Sequence, residues 1–381
     1  MADMSALASL DTPRLLLDRA RLERNARRMR ARCDALSVTL RPHLKTAKSV
    51  EVARLAGGGE PGPVTVSTLA EAEYLAAAGW RDILYATAMA PAKVARAARI
   101  QRDTGAALRL VVDSVAAASM LAAQAAEHGV SFGCLVEVDC GEHRSGTAPA
   151  SWELASVAET VAAGAPYLQL DGVMTHAGHS YALNDLAGLK AVAETERAAA
   201  VSSAELLRSR GHPCPVVSVG STPTVLYAEH LHGVTEVRAG IYLFWDLAQL
   251  SRGMCAEADI AVSVLATVIG HQRHGPSLVL DAGALALSKD LGANRFMPGT
   301  HYGWVCDTAT LRRLGTLSVE TVHQEHGIVP VPDEDWFDRL PVGSTVRILP
   351  NHACLTCAPY PAYDVVTGGA VVDCWNRTGG W

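Results

Sequence analysis

Charged residues are scarce in this chain, making up only 19% of 381 residues, with a net charge of −6. The basic ones are scattered and form no massed patch, which excludes an electrostatic nucleic-acid surface. Uninterrupted apolar runs long enough to cross a bilayer are also lacking, so no membrane partner is expected. The opening stretch "MADMSALASLDTPR" has no basic start followed by an apolar core. Export is therefore not expected, and a cytoplasmic location is. Nor is there an even set of cysteines. The nine (Cys33, Cys134, Cys140, Cys214, Cys255, Cys306, Cys354, Cys357 and Cys374) are spread through a large chain. That pattern fits free thiols in a reducing compartment better than a disulfide framework. Apolar residues, by contrast, are abundant at 49%, enough for a large core and two domains.

Eight short apolar or β-branched runs alternate with Ala-, Glu- and Leu-rich stretches of helical spacing. The runs are "VTLRPH" (38–43), "VTVST" (64–68), "ILYAT" (83–87), "LRLVVD" (108–113), "CLVEVD" (134–139), "LQLDGVMTH" (168–176), "VVSVG" (216–220) and "TEVRAG" (235–240). A further helix, in "DRARLERNARRMRARCDALS", precedes the first run. Such alternation points to parallel βαβ units, and eight strands are the number that closes a (β/α)8 barrel. An open, doubly wound sheet is the alternative. After residue 255 the helices shrink and strand-like runs with Gly, Pro and His take over. Residues 14–254 are thus expected to form an α/β barrel. Residues 255–381, joined by 1–13, should form a second, mostly β domain.

Catalytic groups of such barrels sit at the C-terminal ends of the strands. Lys45 stands just after the first strand. His143 and Arg144 follow the fifth, and His176, His179 and Tyr181 the sixth. "GSTPT" follows the seventh, bringing Gly220, Ser221 and Thr222. "AGIY" follows the eighth, bringing Gly240, Ile241 and Tyr242. Either of the last two loops alone reads as an ordinary tight turn. Together, after strands seven and eight, they predict a phosphate site. An amine at one strand end with a phosphate cradle at the others suggests pyridoxal 5'-phosphate. Arg144 could then neutralise the cofactor's ring oxygen, although an ordinary surface ion pair is its commoner fate. Lys48, about one turn beyond Lys45, reads as a solvated surface lysine. In "PNHAC", His352 and Cys354 are two residues apart, so on a strand they would face one side and could share a metal ion. Spacing alone would equally allow a buried cysteine beside a turn histidine.

The motifs "RPHLKTAKS", "GEHRSG", "THAGHSY", "SVGSTPT", "EVRAGIYLF", "LDAG", "QEHG" and "PNHAC" occur in this order over nearly the whole chain. In this the chain resembles the fold-type III pyridoxal-phosphate enzymes, specifically the D-serine dehydratase and D-threonine aldolase family. Within it the likeness is to the D-threo-3-hydroxyaspartate dehydratases. The resemblance implies an alanine-racemase-like barrel and a β domain. It also implies Lys45 as the Schiff-base lysine and a divalent metal held by His352 and Cys354. Zinc is expected, with manganese or another ion as alternatives. His179 and His326 become further candidates for contacts in the site. Family dehydratases tend to carry His-x-Cys and aldolases His-x-Asp, so Cys354 favours a dehydratase acting on a small D-3-hydroxy amino acid. Retro-aldol cleavage to glycine and an aldehyde is the alternative. A non-catalytic, cofactor-binding role is another, but such proteins are usually single domains. A homodimer is expected.

Overall fold

A computed structural model describes residue 7 and residues 9–381. Residues 1–6 and 8, part of the segment expected to join the β domain, lie outside the described residues. β1 (Arg14–Asp18) leads into the helix Arg19–Ala35. Eight parallel strands follow: β2 (Thr39–Leu40), β3 (Val64–Val66), β4 (Asp82–Tyr85), β5 (Ala107–Val112), β6 (Phe132–Val138), β7 (Leu168–Thr175), β8 (Val216–Val219) and β9 (Glu236–Val237). Each of the eight runs read from the sequence supplies one. Their order is β2-β9-β8-β7-β6-β5-β4-β3. The two ends meet at a bridge between His43 and Thr65. There Thr65 N–H donates to Pro42 O, and Leu44 N–H to Thr65 O, each at 2.9 Å. The sheet is therefore a closed (β/α)8 barrel, which leaves no edge strand.

Helix starts are written into the connecting loops. Thr68, Ser114, Ser151, Asp185 and Ser221 each accept the N–H three residues on, capping the helix that follows.

Barrel interiors are usually filled by branched apolar side chains. This one contains a chain of charges. Arg41 donates to Glu236 at 2.8 Å and to both oxygens of Asp82 at 2.9 and 3.0 Å. Asp82 also accepts from Arg109 at 2.6 Å, and Arg109 reaches Asp171 at 2.9 Å. Gly133 makes room for the end of this chain, since a Cβ there would lie 2.2 Å from Asp171 Oδ2. Arg41 and Glu236 are buried, whereas Asp82 is 40% and Arg109 25% exposed, so the chain of charges runs from core to solvent and adds little net stability.

The second sheet holds β10 (Val262–Gln272), β11 (Ser277–Leu280), β12 (Gly303–Asp307), β13 (Arg313–Ser318), β14 (Thr321–Val322), β15 (Gly327–Pro330), β16 (Thr345–Pro350), β17 (Ala362–Thr367) and β18 (Ala370–Asn376). Its main order is β13-β12-β16-β10-β1-β17-β18. β1 is thus an interior strand, antiparallel to β10 and parallel to β17. Its three leucines, Leu15, Leu16 and Leu17, are at most 1% exposed, as expected for a strand covered on both faces. This shifts the boundaries read from the sequence. One compact unit takes the chain up to Ala26 with Ile241–Gly379; the other takes Arg27–Gly240 with Gly380–Trp381. The change of composition near residue 255 marks where long helices stop, whereas packing divides the chain earlier. Leu7 joins the β unit's core with Leu16, Leu265 and Val366.

Candidate active site

Lys45 lies in the turn directly after the His43 bridge, with its side chain exposed. Its backbone N–H donates to His43 Nδ1 at 3.4 Å. Burial, reinforced by the nearby charges of Lys45 and Arg238, holds the His43 ring well below the usual imidazole range. His176 is driven down to about 3 by burial, against the opposing hydrogen bond to Gly220 O. That bond is 2.7 Å long, and a carbonyl only accepts. Nδ1 therefore carries the proton, and His176 Nε2 is left as an acceptor.

Lys48 is not the surface lysine expected from the sequence. Its Nζ lies 3.3 Å from Oε1 of Glu71, and the two side chains are 18% and 1% exposed. Glu71 also accepts from the Ser67 and Thr68 hydroxyls. Lys48→Ala would leave that carboxylate without its cation. The expected cost is about 2 kcal/mol of folding stability, read by urea denaturation. An unchanged midpoint would show the pair to be idle.

The recess at the barrel mouth is lined by Glu137, Asp139, Glu142, Arg144, Ser145 and His176. Arg144 is largely exposed and stands 3.6 Å from Glu142 and 4.0 Å from Glu137. Burial raises the Glu137 carboxyl above its ordinary range. Tyr181 lies in the short helical turn Gly178–Ala182. In the same turn His179 has a buried Nδ1 with no hydrogen-bond partner.

Gly220 and Gly240 are required by crowding. Gly220 has φ +137°, and a Cβ there would lie 2.5 Å from Arg238 O; at Gly240 it would lie 2.5 Å from His43 O. Ser221 caps the helix Thr222–Tyr227, and Thr222 Oγ1 is buried without a partner. An amine at one strand end, close-packed glycine backbone and an unpartnered buried hydroxyl fit a phosphorylated aldehyde cofactor. Ile241 and Tyr242 follow directly in the chain, buried in the turn Ile241–Leu243 of the β unit.

His352 and Cys354 do come together, but not on a strand. β16 ends at Pro350, His352 is the cap residue of the short helix Ala353–Cys357, and Cys354 lies in its first turn. A proline that cannot extend the ladder and the helix start replace the face sharing inferred from spacing. His352 Nδ1 lies 2.6 Å from Asp290 Oδ2. Burial opposes a charge on the ring, yet hydrogen bonds to Asp290 and Cys354 prevail and raise it to about 11. The Asp290 carboxyl is correspondingly held low. The fully buried Asp246 accepts from Ala353 N–H and Gln249 N–H, each at 2.9 Å, and so fixes the turn that carries Cys354. Among the described residues no three His, Cys, Asp or Glu side chains converge as a metal cluster. An imidazole oriented by a carboxylate and a thiol beside it fit a divalent cation with open positions.

"LDAG" and "QEHG" prove to be packing partners. Ala284 N–H donates to His323 O at 2.7 Å, and a Cβ on Gly283 would lie 2.5 Å from His326 N. His326 itself is exposed. Sequence reasoning missed Arg238, Glu196, Asp246 and Asp290. Arg238 is 3% exposed and donates to Ser218 Oγ and Thr175 O, each at 2.5 Å. An arginine inside the apolar run "TEVRAG" was its one signal. The three carboxylates carry none, because their partners are remote in sequence.

Residues 17–248 match the family described as alanine racemase, N-terminal domain, and residues 261–366 the putative serine dehydratase domain. The chain is 47% identical over 380 residues to the D-threo-3-hydroxyaspartate dehydratase of Delftia sp. strain HT23, covering 98% of this chain and 99% of that one. It is 31% identical to the 3-hydroxy-D-aspartate aldolase of Paracoccus denitrificans strain Pd 1222, covering 98% and 94%. The solved structure of a D-threo-3-hydroxyaspartate dehydratase variant, a cysteine-to-alanine mutant in the metal-free form, superposes with a TM-score of 0.94 at 46% identity, covering 99% and 100%. Barrel, β domain and motif order agree over the full length, and the chain belongs to the D-serine dehydratase and D-threonine aldolase family of pyridoxal-phosphate lyases.

Proposed function

We propose that this chain is a cytoplasmic, homodimeric dehydratase that converts a D-3-hydroxy amino acid to a 2-oxo acid and ammonia. It would use pyridoxal phosphate on Lys45 and zinc on His352 and Cys354. The observation that carries the reading is the His352–Cys354 pair, with Asp290 orienting the imidazole, in a chain whose likeness to a named dehydratase spans its whole length. The bound cofactor supplies an electron sink that acidifies the substrate's α-carbon. A bound cation supplies Lewis acidity at the β-hydroxyl, a poor leaving group.

The protein's own residues do the rest. Lys45 Nζ would hold the cofactor, and as a free amine it would accept the substrate's α-proton. His43 and His176, both kept neutral, put no competing charge beside that amine. Gly220, Ser221, Thr222 and Gly240 would receive the phosphate, with Ile241 and Tyr242 next in the chain. Arg144, which already faces Glu137 and Glu142, would neutralise the ring oxygen. His176 and Tyr181 would contact the cofactor or the substrate.

The runner-up is retro-aldol cleavage, favoured by the full-length match to an aldolase. D-threonine separates the two. The dehydratase reading expects 2-oxobutanoate and ammonia, whereas glycine and acetaldehyde as main products would replace it with the aldolase.

A further inference from the structure

The loops after β7 and β8 are tied together at three points. His176 Nδ1 donates to Gly220 O at 2.7 Å, and the Ser180 and Ser221 hydroxyls are 3.0 Å apart. The third tie is Glu196, on the helix Leu186–Ser209, 1% exposed. One oxygen of its carboxyl, Oε1, accepts Ala177 N–H at 2.8 Å and Gly220 N–H at 3.1 Å. The Thr224 hydroxyl reaches the same carboxyl. Burying a carboxyl on an alanine-rich helix is unfavourable unless its bonds are made. Its bonds to Ala177, Gly220 and Thr224 join the backbone and cap of two loops, while the Arg238 N–H groups are directed at Ser218 and Thr175.

The Gly220 peptide is therefore fixed at both ends, its N–H by Glu196 and its carbonyl by His176. No side chain fits at this position, since a Cβ on Gly220 would lie 2.5 Å from Arg238 O. Ser221 and Thr222 follow immediately, and Thr222 presents the buried hydroxyl that has no partner. We propose that Glu196 is a positioning residue, whose carboxyl oxygen rather than its charge sets the Gly220–Thr222 backbone for the cofactor's phosphate. This rests on the reading of those residues as the phosphate cradle. A negative charge beneath a phosphate is repulsive, so a neutral acceptor with the same reach should serve as well.

Two mild variants separate reach from charge. E196Q keeps the acceptor and drops the charge; E196D keeps the charge and withdraws the acceptor by one methylene. Apoprotein of each is titrated with pyridoxal phosphate and with pyridoxal, which lacks the phosphate. E196Q should stay within about threefold of wild type for both ligands. E196D should lose roughly tenfold or more for pyridoxal phosphate and little for pyridoxal. If E196Q weakens while E196D holds, charge is what matters and the proposal is wrong. It is equally overturned if both variants bind as wild type, or if either loses both ligands in parallel, the sign of a merely structural role. Wild-type protein that prefers neither ligand would sink the cradle reading itself, a distinct failure.

Discussion

Lys45→Ala should abolish turnover, by at least about 10³-fold, because the chain would lose both its covalent anchor and its general base. The wild-type protein should be yellow, and borohydride should fix the cofactor to Lys45. Mass spectrometry of the reduced protein locates the label. Position is what singles this residue out. It sits in the turn after the strand that closes the barrel, beside a neutral His43. Lys48, three residues on, is committed to Glu71. A label on Lys48, or on no lysine at all, would show the amine to be misassigned. Lys48→Ala should lose stability while keeping the label on Lys45.

Removing the metal should have the second-largest effect. With a chelator, elimination of the β-hydroxyl should stop while the cofactor's colour persists, because the residues proposed to hold the cofactor (Lys45, Gly220, Ser221, Thr222 and Gly240) are not those proposed to hold the metal. Cys354→Ala should behave like the chelated protein, losing roughly 100-fold or more in turnover. Asp290→Asn, which removes only the carboxylate that orients His352, should weaken metal binding by about 10- to 100-fold. Exchange of the α-proton with solvent deuterium should survive in each, since that step needs only the cofactor and Lys45. Cys357 is fully buried, and burial pushes its thiol up to about 12. It is therefore a core residue, and Cys357→Ala should retain its metal. Normal elimination by the chelated protein would remove the metal from the chemistry.

The barrel was legible because buried parallel strands have no polar face to hide. Runs such as "LRLVVD" and "CLVEVD" stand out against the Ala- and Glu-rich helices between them. The strand-end positions of Lys45, Gly220 and Gly240 could be read because each stands at or just past the end of such a run. β1 was misplaced because "RLLLD" carries no mark of its partners, which lie some 250 and 350 residues further on. His352 and Cys354 lie together, but not on the strand face inferred from their spacing, since Pro350 ends the strand before either residue. Glu196 and Asp290 were invisible. A glutamate on an alanine-rich helix and an aspartate in a polar turn look solvated until the fold brings Gly220 to one and His352 to the other. Lys48 was misread in the same way, its partner Glu71 lying 23 residues downstream.

Incubation with D-threo-3-hydroxyaspartate, with both ammonia and glycine quantified, tests the proposed chemistry most directly. A dehydratase gives one ammonia for each oxaloacetate and no glycine, and the yield disappears with the chelator. Glycine and glyoxylate in equal amounts, or ammonia release that ignores the chelator, would contradict it.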